Sequence, residues 1–342
     1  MARLEAQPSA QGLTYPVLVG DVGGTNARLA VIDHPGAPAR RAKDQNSQSG
    51  SIESFVAVAR NALGVSPRSA VLALAGPNID MSVKSTNAGW YADGRVLASA
   101  FDWREVIFVN DFAAMAAAIP DLDSMSGGLA PIGPDLSPGQ GPRVILGPGT
   151  GLGTAALVAA PSGHVIVTTE AGHGSTGPCD AEDEAIWPLI PKRDGRIMPE
   201  AILSGAGLMR IAQALSQRDD VLLTYSEPGD ITRGFANGEP LASAVVRFFM
   251  KQLGRFAGDM AIVFGANGSI AITGGVAERL AAAFDAGDFR RAFEERAPYT
   301  EALKRIPTRL VMAADPSFIG LAALARNPLA FGFSPGPNML VR

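Results

Sequence analysis

Val17-Leu-Val-Gly-Asp-Val-Gly-Gly-Thr-Asn-Ala-Arg-Leu-Ala-Val-Ile32 joins two apolar runs by a turn of glycines set beside an aspartate and a threonine. The runs at 17–19 and 29–32 predict β-strands. Gly20, Gly23 and Gly24 are expected to supply positive φ and bare backbone, so that N–H groups can approach an anion. Asp21 offers a carboxylate able to hold a hydrated Mg2+ shared with substrate phosphates, and Thr25 a hydroxyl able to hydrogen-bond a phosphate oxygen. The cluster suits a metal-nucleotide. A tight hairpin that uses its glycines only for geometry would read the same way.

A second copy tips the balance. Val144-Ile-Leu-Gly-Pro-Gly-Thr-Gly-Leu-Gly-Thr-Ala-Ala-Leu-Val158 is again a β run, a glycine turn carrying Thr150, and a β run. A Walker loop would need Gly-Lys-Ser/Thr entering a helix, and a dinucleotide fingerprint would need G-x-G-x-x-G entering one. Neither follows here, so phosphate would lie against hairpins from two half-molecules. A duplicated architecture with a cleft between two lobes is the expectation.

The chain has 342 residues, 47% of them apolar, which suits about two domains with sizeable cores. Its single cysteine, Cys179, excludes an internal disulfide framework, suits a reducing cytoplasm and argues against a zinc cluster. Residues 1–11 contain no apolar targeting segment, and the most hydrophobic stretches, 113–119 and 260–266, are too short to span a bilayer, so a soluble protein with no membrane partner is expected. A net charge of −4, from 29 basic and 33 acidic residues without a long basic run, gives no support to nucleic-acid binding.

Apolar strands alternate with helical patterns, which predicts an α/β fold. Strands are expected at 69–75, 106–109, 269–273 and 309–312, and helices at 112–119, 181–187, 200–216, 241–263 and 289–295. The Gly- and Pro-rich stretch 122–143 reads as a boundary. This gives a smaller α/β lobe of 14–122 plus 316–342 and a larger one of 123–315. The first thirteen residues and the tail from Ala330 are expected to be mobile or loosely docked.

Val106-Ile-Phe-Val-Asn-Asp-Phe112 runs an apolar strand straight into Asn110-Asp111, and ligand groups of α/β sheets gather at such strand ends. Asp111 could accept a proton from a substrate hydroxyl attacking phosphorus, with Asn110 orienting a neighbouring hydroxyl. The same pair could cap the helix that follows. Thr169-Glu-Ala-Gly-His-Gly174 places Glu170 and His173 in a glycine-rich loop, and Glu200 opens a helix. A carboxylate that only accepts and an imidazole that can do either suit vicinal sugar hydroxyls, although Glu200 also suits its helix dipole. Glu182-Asp183-Glu184 is expected to begin an exposed helix without chemistry.

Together these segments resemble bacterial glucokinases of the hexokinase, actin and Hsp70 superfamily, over roughly Tyr15 to Asn327. Leu18 to Arg28 resembles the family's first phosphate motif and Gly147 to Gly153 its second. Val109 to Ala113 is similar to the segment carrying its catalytic aspartate, Glu170 to His173 and Glu200 to Gly205 to its sugar-binding stretches, and Ala271-Ile-Thr-Gly-Gly-Val276 to its adenosine motif.

The resemblance implies a two-lobed, ribonuclease H-like duplicated fold and ATP-dependent phosphorylation of D-glucose to glucose 6-phosphate. It implies Asp111 as general base, and Asn87, Asn110, Asp111, Glu170, His173 and Glu200 around the sugar. Gly20, Asp21, Val22, Gly23, Gly24, Thr25 and Asn26 would serve ATP from one lobe, with Asp21 on Mg2+; Gly149, Thr150, Gly151, Gly274 and Gly275 would serve it from the other. A cytoplasmic homodimer is also implied.

Pro148 stands where the family often carries small or polar residues, and 133–142 is longer than the pattern requires. The alternatives are a kinase for another hexose or an N-acetylhexosamine, and a non-catalytic sugar sensor of the same fold. Relatives acting on acetylated sugars, or serving as repressors, resemble a group with a Cys-rich zinc motif, against which the single cysteine argues. The roughly fourteen residues before the first strand are too few for a helix-turn-helix.

Overall fold

The computed structural model describes residues 12–342 apart from Ser49, Pro77 and residues 86–88, so the expectation placed on Asn87 lies outside the described residues. The chain forms two units, one of the residues up to Ser124, Leu157–Val167 and Ala314–Arg342, the other of Met125–Ala156 and Thr168–Ala313.

In the first unit the opening apolar run becomes β1 (Val17–Val22), buried throughout. It returns as β2 (Asn26–Ile32) in an antiparallel register that sets Asp21 opposite Arg28. β3 (Arg40–Arg41) and β4 (Gln45–Asn46) extend the sheet beyond β2. α1 (Ile52–Leu63) starts from a reciprocal Ser51–Ser54 capping box and stops at Gly64 in the left-handed conformation. β5 (Ser69–Leu74), wholly buried, lies parallel to β1.

A small antiparallel sheet of β6 (Asn78–Ile79), β7 (Ser82–Lys84) and β8 (Tyr91–Asp93) leads to α2 (Gly94–Phe101), capped by the Asp93 carboxylate. β9 (Glu105–Val109) lies parallel to β5 and runs into α3 (Asp111–Ser124).

The second unit contains β10 (Leu129–Ile132), β11 (Arg143–Pro148), β12 (Leu152–Ala160), β13 (Gly163–Thr169), α4 (Ala181–Ile186), α5 (Pro199–Ile202), α6 (Gly205–Asp219) and α7 (Pro228–Ala236), with residues 157–167 of the β12–β13 hairpin grouped in the first unit. It continues through α8 (Pro240–Phe264), β14 (Ser269–Ile272), α9 (Gly275–Arg279), α10 (Asp288–Glu294), α11 (Thr300–Leu303) and β15 (Thr308–Val311). α12 (Pro316–Arg326) and β16 (Met339–Val341) then complete the first unit. Phe248, Phe249 and Leu253 on α8 and Phe289 and Phe293 on α10 lie fully inside the second unit's core.

The duplication is visible in the sheets. One runs β16-β9-β5-β1-β2-β3 and the other β10-β15-β14-β11-β12-β13. In each, three mutually parallel strands (β1, β5, β9 and β11, β14, β15) sit between a hairpin partner and an antiparallel edge strand. Parallel strands present their carboxyl ends together, so each sheet gathers its glycine turn and its following loops at one end.

Three expectations are revised. The helix expected over 200–216 is two, because Ser204 turns extended and accepts the Gly207 N–H as a new N-cap. The tail from Ala330 is not simply loose: Met339–Val341 pairs with β9, and the Arg342 amide donates to the Arg104 carbonyl at 2.8 Å. The stretch 122–143 holds the end of α3, which passes through Pro120, the division between the two units after Ser124, and all of β10. Asp183, read as part of an exposed run, is fully buried. Among the described residues no helix is long and apolar enough to cross a membrane.

Candidate active site

Asp21 stands near the end of β1 with little exposed surface. Its Oδ2 accepts both the Arg28 guanidinium across the hairpin and the Ser317 hydroxyl, the latter at 2.8 Å, from the first turn of α12. Arg28 also donates to Asp315 Oδ1 at 2.9 Å, and Arg41 joins that carboxylate from β3. Beyond Asp21 the turn closes with the Gly23 N–H on the Asn26 carbonyl at 3.0 Å. Val22 is buried, while Thr25 and Asn26 are exposed at the tip, with the Thr25 carbonyl receiving the Ser47 amide.

Positive φ is not the reason for Gly20 and Gly23, both of which lie outside the left-handed region. A Cβ on Gly20 would come within 2.8 Å of the Leu72 side chain, so its bareness serves strand packing. Arg28, Asp315 and Ser317 were missed from sequence, although the hairpin register pairing Asp21 with Arg28 was the signal that could have found the first.

Asn110 and Asp111 occupy the end of β9. The Phe112 amide donates to Asn110 Oδ1 at 2.9 Å and to Asp111 Oδ1 at 3.0 Å, and Asn110 also receives the Ala113 amide on its carbonyl. Asn110 is therefore the cap of α3, which fixes Asp111 as the first residue of that helix. Asp21 pairs in register with Ala73, and Ala73 with Val109. Two strand spacings, about 10 Å, separate the β1 aspartate from the strand residue before Asn110. The first unit thus brings the phosphate hairpin and the Asn110–Asp111 pair to one sheet end.

The second unit gathers the other candidates. The turn Gly149–Gly151 links β11 to β12, with Gly149 donating to the Gly151 carbonyl at 2.8 Å. Glu200 on α5 accepts the Leu152 amide on Oε2 at 3.0 Å, and the Gly205 amide donates to the Gly149 carbonyl at 2.9 Å. Thr150 is exposed at the tip.

Gly172 packs on the Leu152 carbonyl too closely for any side chain, which seats the Glu170–His173 turn against β12. His173 Nε2 lies 3.9 Å from Glu170 Oε2, both side chains facing solvent, and Arg196 holds the His173 carbonyl at 2.6 Å. Gly274 does adopt positive φ, +95°, and a Cβ there would sit 2.6 Å from the Pro148 carbonyl oxygen, so β14 leaves its end pressed against the turn; Gly275 follows as the first residue of α9. Pro148 itself is a buried strand end, and the long 133–142 loop is pinned by Gly139 on Gly268 and by Arg309 on the Leu136 carbonyl at 2.5 Å.

Next to the sugar-loop candidates lies an ionic cluster. Asp183 receives the Cys179 amide at 2.9 Å, Gln252 Nε2 at 2.7 Å, Lys251 Nζ at 2.9 Å and the Arg255 guanidinium. Asp180 caps α4 through the Asp183 amide and takes Arg255 Nη2 at 2.6 Å. Burial alone would raise the Asp180 carboxyl, but the Asp183 amide, Arg255 and Lys251 outweigh it and hold it well below the usual carboxylate range.

Residues 18–328 match the family model described as Glucokinase. The chain belongs to the glucokinase family. A glucokinase of Chelativorans sp. (strain BNC1) is 36% identical over 323 residues, 94% of each chain. The crystal structure of a glucokinase from an Antarctic psychrotroph superposes with a TM-score of 0.79 at 27% identity, over 90% of this chain and 98% of that one. A Balamuthia mandrillaris glucokinase solved with glucose shares the fold, with a TM-score of 0.75 at 20% identity over 91% and 93% of the two chains.

Glucokinase-family chemistry implies a metal-nucleotide. Among the described residues no group of three or more His, Cys, Asp or Glu side chains is placed to hold a metal ion. At the phosphate hairpin Asp21 offers a carboxylate with both its protein bonds on Oδ2, while the neighbouring Asp315 carboxylate is engaged by Arg28 and Arg41. That set fits a Mg2+ that arrives with phosphates and keeps its waters rather than a resident, protein-caged ion.

Proposed function

We propose that this protein transfers the γ-phosphoryl group of ATP to the 6-hydroxyl of D-glucose, giving glucose 6-phosphate and ADP. The observation that carries the reading is the shared sheet end in the first unit. It sets a carboxylate fixed at a helix start, Asp111, in the same strand-end array as the glycine hairpin.

Asp111 accepts the 6-hydroxyl proton as O6 forms its bond to the γ-phosphorus and the bond to the ADP oxygen breaks. Asn110, Glu170, His173 and Glu200 hold the sugar hydroxyls, and Asn87 joins them on the family resemblance. In this reading the hairpins Gly20 to Asn26 and Gly149 to Gly151 serve the phosphates through turn groups other than the Gly23 and Gly149 N–H, which close on Asn26 and Gly151, and Gly274, pressed on the Pro148 carbonyl, sets the backbone at which Gly275 leaves room for the adenosine. Mg2+ bound with the nucleotide would be held by Asp21 and would neutralise charge developing on phosphate oxygens. Phosphoryl transfer asks mainly for alignment and charge neutralisation, so one proton acceptor suffices. A cytoplasmic homodimer belongs to the same reading, the dimer on the family resemblance and the compartment on the lone thiol, and sedimentation of the purified protein tests the dimer.

ADP release measured side by side with glucose, fructose, mannose, N-acetylglucosamine and N-acetylmannosamine tests the function. Turnover on glucose should exceed that on every other sugar; preference for an acetylated sugar would redirect the substrate, and no turnover on any would point to a sensor.

A further inference from the structure

Gly151 belongs to the glycine turn assigned to phosphate, yet a side chain placed on it would meet the carboxylate assigned to sugar. A Cβ built on Gly151 would lie 2.5 Å from Glu200 Oε2 and 3.3 Å from Glu200 Cδ. The same Oε2 accepts the Leu152 N–H at 3.0 Å. At the other end of the turn, the Gly149 carbonyl accepts the Gly205 N–H at 2.9 Å.

Between Glu200 and Gly205, the Ser204 hydroxyl donates to the Glu200 carbonyl at 2.8 Å and accepts the Gly207 N–H at 3.1 Å. Ser204 is 1% exposed. One six-residue segment therefore clasps both ends of the turn, and the carboxylate's seat is made of the turn's own backbone.

We propose that the bare Cα of Gly151 and the N–H of Leu152 are positioning groups for the sugar-binding Glu200, so that this phosphate turn also sets sugar affinity. The inference rests on Glu200 as a sugar ligand. Glu200 cannot shift to follow a sugar hydroxyl without changing its bond to the turn, and the turn cannot reshape around phosphate without moving Glu200. Order supplied to either by a ligand is order the second ligand need not supply, and such coupling is reciprocal.

The test is calorimetric titration of glucose, with and without a saturating non-hydrolysable ATP analogue and Mg2+, on wild type and on Gly151→Ala, Ser204→Ala, Glu200→Gln and Glu200→Ala, with thermal melting to establish folding. Gly151→Ala should raise the glucose Kd at least about tenfold without nucleotide present, by displacing the carboxylate. In wild type the analogue should tighten glucose binding about fivefold or more, and Ser204→Ala should shrink that factor at least about twofold. A glucose Kd within about twofold of wild type in folded Gly151→Ala would overturn the proposal. Should that variant fail to fold, an undiminished coupling factor in Ser204→Ala would do the same. Failure of the underlying reading is distinguishable: Glu200→Gln and Glu200→Ala would then both leave glucose affinity unchanged.

Discussion

Lys251 of α8 reaches Asp183 of α4 across 2.9 Å, at a carboxylate whose side chain has no exposed surface. Asp183 also takes Arg255, Gln252 and the Cys179 amide, so its negative charge is met by two cations and two neutral donors. Burial at this depth is tolerable because the partners are present; without Asp183, Lys251 keeps Asp180 and Glu182 and Arg255 keeps Asp180, but the cluster loses its buried counter-charge and the Gln252 and Cys179 N–H groups lose their acceptor.

Asp183→Ala should therefore cost about 3–5 kcal/mol of stability, the range for breaking a buried ion pair. Urea unfolding of the variant beside wild type measures it. A loss below about 1 kcal/mol would mean that Lys251 and Arg255 find solvent without penalty.

Acid should act through Asp180. Its folded carboxyl lies below the ordinary value of 3.8, so the stability it contributes is fully present above that value and is lost as pH falls towards the folded one. Asp180→Asn should be less stable than wild type at pH 7, and the gap should narrow between pH 5 and pH 3. Denaturant midpoints at the three pH values give the answer; a gap that widens on acidification contradicts the assignment.

Asp111→Ala should lower kcat by roughly 10²–10⁴-fold, the usual worth of a general base, while the glucose Kd stays within about tenfold of wild type. Single-turnover kinetics with saturating ATP check this, and near-normal kcat would remove Asp111 from the mechanism.

Arg28 bonds two carboxylates at once, Asp21 through Nη2 and Asp315 through Nη1. Lysine offers a point charge and cannot reproduce the fork. Arg28→Lys should raise the KM for Mg-ATP about fivefold or more with glucose KM nearly unchanged. Equal rises in both would place Arg28 in general folding rather than at the phosphate hairpin.

The hairpins were legible because strand, glycine turn and strand all fall within sixteen residues, and their repetition named the duplicated architecture. Val109-Asn-Asp was legible because a buried strand that ends in polar residues marks a sheet's ligand end. What could not be read was long-range pairing. Asp183 sits in an acidic run that looks solvated until α8, some 70 positions later, supplies Lys251 and Arg255. Met339–Val341 carries no periodicity because an edge strand of three residues is too short to show one. The glycines misled about cause: Gly20 and Gly151 are bare for close packing, whereas Gly274 does need positive φ.

Ser317 closes onto Asp21 from 296 positions further along the chain. During synthesis at 5–20 residues per second, the N-terminal aspartate waits roughly 15–60 s for that hydroxyl. The sheet that holds the phosphate hairpin is started first and finished last, with α12 and then β16 arriving after the second unit has been made. The nascent first unit therefore carries an open β9 edge, and an Asp21 held by Arg28 alone, through most of translation.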